Sequence, residues 1–287
     1  EDNAIFGEES FMNPANNKEF TIGYYQSRDL GPFNVDLGVR IDQIERSGSV
    51  TEEGHDDIDY YDIDDTTNSF AISLGNDLND NLSINFGFAS VERLPSVIEL
   101  FMNGPHMATG RFEVGDPTLS SETSENFDVT LNYEKDGFYA YASFYITDVE
   151  NYIALIDEED DHGDDHGEMD HDDDDHGDDH SGDHGDPHDH GDLIHANYMQ
   201  EDAEFDGYEF EFGKSFDFSS GVLDLSFGRD VVNAEFSDGH YVPRINPTRN
   251  VYSMSYKTND LVFKLNLKDV DAQKDIGEGE TETNAYK

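Results

Sequence analysis

Apolar and polar residues alternate with a period of two along most of the chain. Val35, Leu37, Val39 and Ile41 alternate with Asp36, Gly38 and Arg40; Phe70, Ile72 and Leu74 with Ala71, Ser73 and Gly75. Leu82, Ile84, Phe86 and Phe88 alternate with Ser83, Asn85 and Gly87, and Phe127, Val129, Leu131 and Tyr133 with Asp128, Thr130 and Asn132. Successive side chains of a strand point to opposite faces, so each stretch predicts a strand with one apolar and one polar face. Further strands are expected over 19–28, 137–149, 203–217, 219–234, 248–257 and 260–270, with shorter arms at 151–156 and 193–199. Residues 281–287 read as the start of another.

Hairpin signals join these strands in pairs: Asn76–Asn81, Lys135–Gly137, Ser219–Gly221 and Thr258–Asp260. Between them lie long connections over 46–66, 92–121, 157–192, 235–247 and 271–280. Short turns at one end and long loops at the other predict an all-β, antiparallel transmembrane β-barrel, and alternation sustained for about ten residues suits a tilted strand crossing a bilayer. Periodicity alone also admits a soluble sandwich or propeller. Tyr24, Tyr25, Tyr60, Tyr61, Tyr139, Tyr141, Tyr145, Tyr152, Tyr198 and Tyr208 fall at or near expected strand ends, as an interfacial aromatic girdle would. The sequence contains no Trp.

One stretch breaks the pattern. Residues 157–195 carry nine of the twelve histidines and nineteen of the sixty-seven acidic residues, with no Lys, Arg or aromatic residue. So little apolar surface cannot offset a backbone ordering cost of roughly 1–2 kcal/mol per residue, so a solvated loop is expected. The formal charge is −51, and −32 remains without residues 157–192, so acidity also belongs to the strands and their other connections. A phosphate backbone needs clustered Lys and Arg; nucleic acid is excluded as a partner and cations are expected. No run of eighteen apolar residues is present, which excludes a membrane-spanning helix and says nothing against a barrel.

The insertion has the chemistry of a divalent-metal chelator. Its histidines are His162, His166, His171, His176, His180, His184, His188, His190 and His195, with Asp164, Asp165, Asp178 and Asp179 among the interspersed carboxylates. Intervening glycines, Pro187 and aspartates oppose a helix, so the ion itself must gather the ligands. Zinc accepts four nitrogen or oxygen ligands without a geometric preference from its d-shell. Copper and nickel suit the same donors, and affinity alone favours copper. Asp172–Asp175 admits calcium, although no EF-hand spacing is present. With no cysteine, any metal is held by imidazole and carboxylate. The remaining histidines, His55, His106 and His240, fall in other long connections and are candidates for the same cation-collecting surface. Glu99, Glu113, Asp116 and Glu122 could suggest paired carboxylates, but no nucleophile and base accompany them, and no enzyme is expected.

Four pieces carry a resemblance to a known family: Arg93, Pro95, Glu99 and Leu100 in R-x-P-x-x-x-E-L; Asn103–Thr109; Phe112–Asp128 (FEVGDPTLSSETSENFD); and Phe205–Phe212 followed by Val242–Arg249 (VPRINPTR). In order and spacing they resemble the barrel of TonB-dependent outer-membrane receptors. The His/Asp-rich stretch following the strand that ends near Ile156 is further similar to the zinc-uptake branch. The resemblance implies an outer-membrane receptor that captures zinc or another divalent metal outside the cell and imports it with energy from TonB–ExbB–ExbD. A siderophore or haem receptor, or a non-transporting surface protein that buffers zinc or calcium, are the alternatives. The sequence lacks the family's N-terminal plug domain, TonB box and terminal closing aromatic, so residues 1–287 read as a partial barrel of about ten or eleven strands out of twenty-two.

Overall fold

The computed structural model describes residues 10–51, 57–158 and 193–287, together with the backbone of Asp2–Asn3. Ten long strands follow one another across a single sheet: β2 (Ala15–Leu30), β3 (Phe33–Thr51), β4 (Ile58–Asn79), β5 (Leu82–Arg93), β8 (Glu122–Lys135), β9 (Phe138–Asp157), β10 (Ile194–Phe218), β11 (Gly221–Phe236), β12 (Arg249–Lys257) and β13 (Val262–Val270). Each pairs antiparallel with its neighbours in that order, and the two-residue β1 (Asp2–Asn3) lies against β2. The expected all-β partial barrel wall is present.

The register aligns the sequence alternation from strand to strand. Tyr24 faces Val39, Val39 faces Phe70, Ile72 faces Phe88, and Phe88 faces Phe127. Phe127 then faces Ile146, Phe144 faces Tyr208, Phe212 faces Phe227, Phe227 faces Tyr252 and Tyr252 faces Leu267. One face is therefore an apolar band across ten strands, and many of its side chains are exposed, Phe20, Ile22, Phe144, Leu265 and Leu267 among them. On the opposite face Tyr25 donates to Asp36 (2.7 Å), Ser73 donates to Asp36 (3.1 Å), and Tyr139 donates to Glu211. Apolar outside and polar inside is the pattern of a membrane barrel wall, and a one-residue slip would reverse it everywhere.

The turns at one end are short. Leu30 pairs with Phe33 and Lys135 with Phe138, each around a two-residue loop. Asp136 and Gly137 both have positive φ (49° and 74°), the primed turn that matches strand twist. The turn at Gly31–Pro32 was not among the expected hairpins; Gly31 has φ 72°.

At the other end, several expectations need correction. The connection expected over 46–66 is mostly strand, because β3 runs to Thr51 and β4 begins at Ile58. The arms at 151–156 and 193–199 are continuations of β9 and β10, which pair up to Asp157 and Ala196; a register shift between Glu201 and Ala203, across from Asn151 with its positive φ of 55°, breaks the alternation there. Residues 281–287 form isolated bridges, Val270 to Tyr286 and Gln273 to Thr283. The expected tyrosine girdle also splits: Tyr25 and Tyr139 sit on the inner face, bound to carboxylates.

The connection over 92–121 is structured. Ser96 caps α1 (Val97–Phe101) in a reciprocal capping box with Glu99. It is followed by a small hairpin, β6 (Asn103–His106) and β7 (Arg111–Val114). β7 pairs in parallel with the start of β10, the exception to the antiparallel order. α1 turns Leu100 and Phe101 against Met12, Ala15, Leu119 and Ile153, with Val50, Tyr61 and Ile63 packed around them. These contacts fall on the inner face of β2–β4, so the connection folds into the mouth of the barrel. Gly48 accommodates Phe101, whose ring occupies the space that a Cβ would need.

Candidate metal-capture site

The His/Asp-rich insertion leaves the sheet at Asp157 on β9 and re-enters at Ile194 on β10. Its histidines from His162 to His190, and Asp164, Asp165, Asp178 and Asp179, lie outside the described residues, as does His55. Both feet of the insertion are described. The Glu158 amide donates to the His195 carbonyl at 2.8 Å, the Asn197 amide donates to the Glu158 carboxylate, and His195 Nδ1 lies 3.4 Å from Glu158 Oε2.

Asp157 is the hub of this junction. It is 5% exposed and accepts from Arg111 at 2.6 and 2.7 Å in a bidentate pair, while Arg244 Nη2 approaches at 3.4 Å. Arg244 also donates to the Leu155 carbonyl at 2.7 Å, and its own amide donates to Glu280 at 2.8 Å. Gly279, with φ 74°, packs so closely that an added Cβ would stand 2.7 Å from that of Asp157. One buried carboxylate thus ties together the 92–121 hairpin, the end of β9, the 236–249 connection and the segment after β13. Hydrogen bonding to Asp157 raises the Arg111 pKa above its ordinary value, so the guanidinium stays charged. Asp157 had been expected only as the first acid of the solvated insertion. Arg111 and Arg244 carried no motif signal as partners, because they lie 46 and 87 positions from it.

His106 sits on β6, and its Nδ1 is 2.9 Å from Glu113 Oε1, which also accepts from Thr109 Oγ1 at 2.8 Å. Glu113 is buried. A carboxylate on one ring nitrogen orients the other, the arrangement that supports histidine ligands in metal sites. His195 is stacked on Phe112 with ring centroids 5.3 Å apart. Phe112 and Glu113 are consecutive strand residues and point to opposite faces, so His106 and His195 are not brought to a common site. His240, in the 236–249 connection, bonds Asp238 through Nδ1 at 2.6 Å. That hydrogen bond raises the His240 pKa above 6.5, while the His240 amide and ring lower that of Asp238. Among the described residues, no three His, Asp or Glu side chains are placed to share a metal ion. His106, His195 and His240 are therefore separate positions around the mouth.

The four carboxylates that could have suggested acid–base chemistry hold the connection together. Glu99 and Glu122 share Arg93, at 2.9 Å each, and Glu99 also caps α1. Glu113 holds His106 and Thr109. Asp116 accepts from the Thr118 amide and hydroxyl, both at 2.7 Å.

A wall of long strands, apolar outside and polar inside, with a folded connection in its mouth, defines a receptor-type barrel. The family model for the TonB dependent receptor-like β-barrel matches residues 9–284, and the chain belongs to that family. Solved structures agree in fold. The copper transporter OprC is 16% identical with a TM-score of 0.65, covering 95% of this chain and 38% of its own. The ferric yersiniabactin uptake receptor FyuA from Yersinia pestis is 14% identical with a TM-score of 0.62, covering 95% and 37%. The hemophore receptor HasR from Serratia marcescens is 14% identical with a TM-score of 0.60, covering 93% and 46%. The chain thus spans less than half the length of these neighbours, a copper transporter, a ferric yersiniabactin uptake receptor and a hemophore receptor.

Proposed function

We propose that this chain is the barrel part of an outer-membrane receptor that takes up a divalent metal, zinc foremost, caught by the His/Asp-rich insertion and imported with energy from the TonB–ExbB–ExbD system. The insertion is the metal-binding unit, with His162, His166, His171, His176, His180, His184, His188, His190 and His195 as nitrogen donors and Asp164, Asp165, Asp178 and Asp179 as oxygen donors. His106 and His240 serve as further stations around the mouth, and His55 is a further candidate donor. The observation that carries the reading is nine imidazoles in one acidic stretch joining two strands at the long-connection end of a barrel of this family. Zinc suits such a stretch because it needs no preset geometry, and many overlapping sets of four ligands satisfy it. The acidic surface raises the local concentration of cations near the insertion.

Copper is the second reading, favoured by the same donors and by the order of divalent-metal affinities. Calorimetric titration of the intact receptor with zinc and with copper(II) tests both. Replacing the nine insertion histidines by asparagine should remove most of the bound zinc. An unchanged zinc stoichiometry overturns the role of the insertion, and zinc binding abolished by competing copper at equal concentration favours the second reading.

A further inference from the structure

Arg229 is a charge on the face that meets lipid. It stands opposite Phe210 on β10 and Asn250 on β12, two residues beyond Phe227 on the same face of β11 and two before Val231. Its Nε donates to Tyr208 Oη at 3.4 Å and its Nη1 to Asn250 Oδ1 at 3.0 Å, and its Nη2 lies 3.9 Å from Asp271. The side chain is 31% exposed, and two of its five N–H donors are used in these hydrogen bonds. An arginine on the lipid face costs about 2–4 kcal/mol at the midplane and about 0–1 kcal/mol near the interfaces, which favours a place at headgroup level, and its carboxylate partner Asp271, half-exposed at 3.9 Å, leaves guanidinium donors for a second anion.

Beside Arg229 lies a wall of rings. Phe144 contacts Tyr208 at 6.2 Å between centroids, Tyr208 contacts Phe210 at 6.3 Å, and Phe210 contacts Phe227 at 5.7 Å. Phe212 contacts Phe227 at 5.5 Å, and Phe227 contacts Tyr252 at 4.9 Å. The charges around this rim make Arg229 stand out. Outward positions toward the long-connection end carry Glu45 opposite Asp64, then Glu125, Asp148, Glu204 and Glu235 on successive strands. Among the described outward positions of that half, the other base is Lys18, already paired with Glu45 at 3.0 Å. An anionic headgroup is repelled along that rim and attracted at Arg229. A second copy of this barrel would press the same acidic rims together, which disfavours it as the occupant.

We propose that Arg229 and the six-ring wall form a binding site for a phosphate-bearing lipid of the leaflet on the long-connection side, with the phosphate on the guanidinium and an acyl chain along Phe210, Phe212 and Phe227. A planar guanidinium suits a phosphate through paired N–H donors. The site does not depend on which metal the receptor carries.

The test is native mass spectrometry of the intact receptor, delipidated in mild detergent and titrated with lipid A. The wild type should retain about one lipid A per barrel. Arg229→Gln should weaken binding at least about tenfold, or about 1.4 kcal/mol, Arg229→Lys should weaken it less, and Lys214→Gln, a base beside the short turn at 135–138, should leave it unchanged. Equal retention by Arg229→Gln and wild type overturns the proposal, as does a lipid-free dimer that Arg229→Gln dissociates.

Discussion

Replacing Asp157 by asparagine removes the carboxylate on which Arg111 and Arg244 converge while keeping the size of the side chain. The Asp157 and Arg111 side chains are 6% and 22% exposed, so their pair is poorly screened; Arg244, at 44%, is well screened and contributes little. Breaking a buried pair by neutralising one member costs about 3–5 kcal/mol. The remaining amide oxygen still accepts one hydrogen bond from Arg111, which lowers the expected cost to about 2–3 kcal/mol. At 1.4 kcal/mol per factor of ten, local opening becomes roughly 30- to 150-fold more frequent. The effect is local, because Asp157 joins connections and not the lower sheet. Hydrogen exchange reads it directly: the Ile194 amide, which donates to the Gly110 carbonyl at 3.1 Å, should exchange faster by that factor, while amides between Phe138 and Ser143 on β9 stay protected. Equal Ile194 exchange in the two proteins refutes the hub, and faster exchange along the whole of β9 shows that the contact supports the sheet instead.

Gly48→Ala places a methyl group where the Phe101 ring lies, and Phe101 is fully buried; a loss of about 1–3 kcal/mol in the protection of the α1 amides is expected, and unchanged protection means that the ring has room to shift. For His240, whose pKa is raised by Asp238, the contact contributes order that is present below about pH 6.5 and is lost as pH rises through the raised value. Asp238 has a lowered pKa, so its share is present above about pH 3.8 and lost as pH falls below that. The pair is therefore tightest in mildly acid solution. An NMR titration should show His240 titrating above 6.5 and returning toward it in Asp238→Asn; the same midpoint in both proteins contradicts the contact.

The strands and the barrel wall were legible because alternation is a local signal repeated ten times, as in Leu82–Phe88 and Phe127–Tyr133. Where strands run past the apolar band the signal fades. In Ser47 to Thr51 and Ile58 to Asp65, Val50, Tyr61 and Ile63 point inward against α1 while Asp62 and Asp64 face outward, so the alternation of the apolar band does not continue, although β3 runs to Thr51 and β4 begins at Ile58. The hairpin β6–β7 was invisible for another reason: its four-residue strands are held by pairing with β10, some eighty positions away. The candidate site divides the same way. Histidine spacing is readable from composition, whereas Asp157, Arg111 and Arg244 meet only because the sheet closes distances of 46 and 87 positions.

The most direct test of the account is radioactive zinc uptake by cells whose source of this barrel is the intact receptor, at limiting zinc, compared with the receptor in which the nine insertion histidines are asparagine. Uptake should fall at limiting zinc and recover at high zinc, as expected when capture and not passage is lost. Equal uptake by both receptors, or growth supported through this receptor by a ferric siderophore or haem and not by zinc, would contradict it.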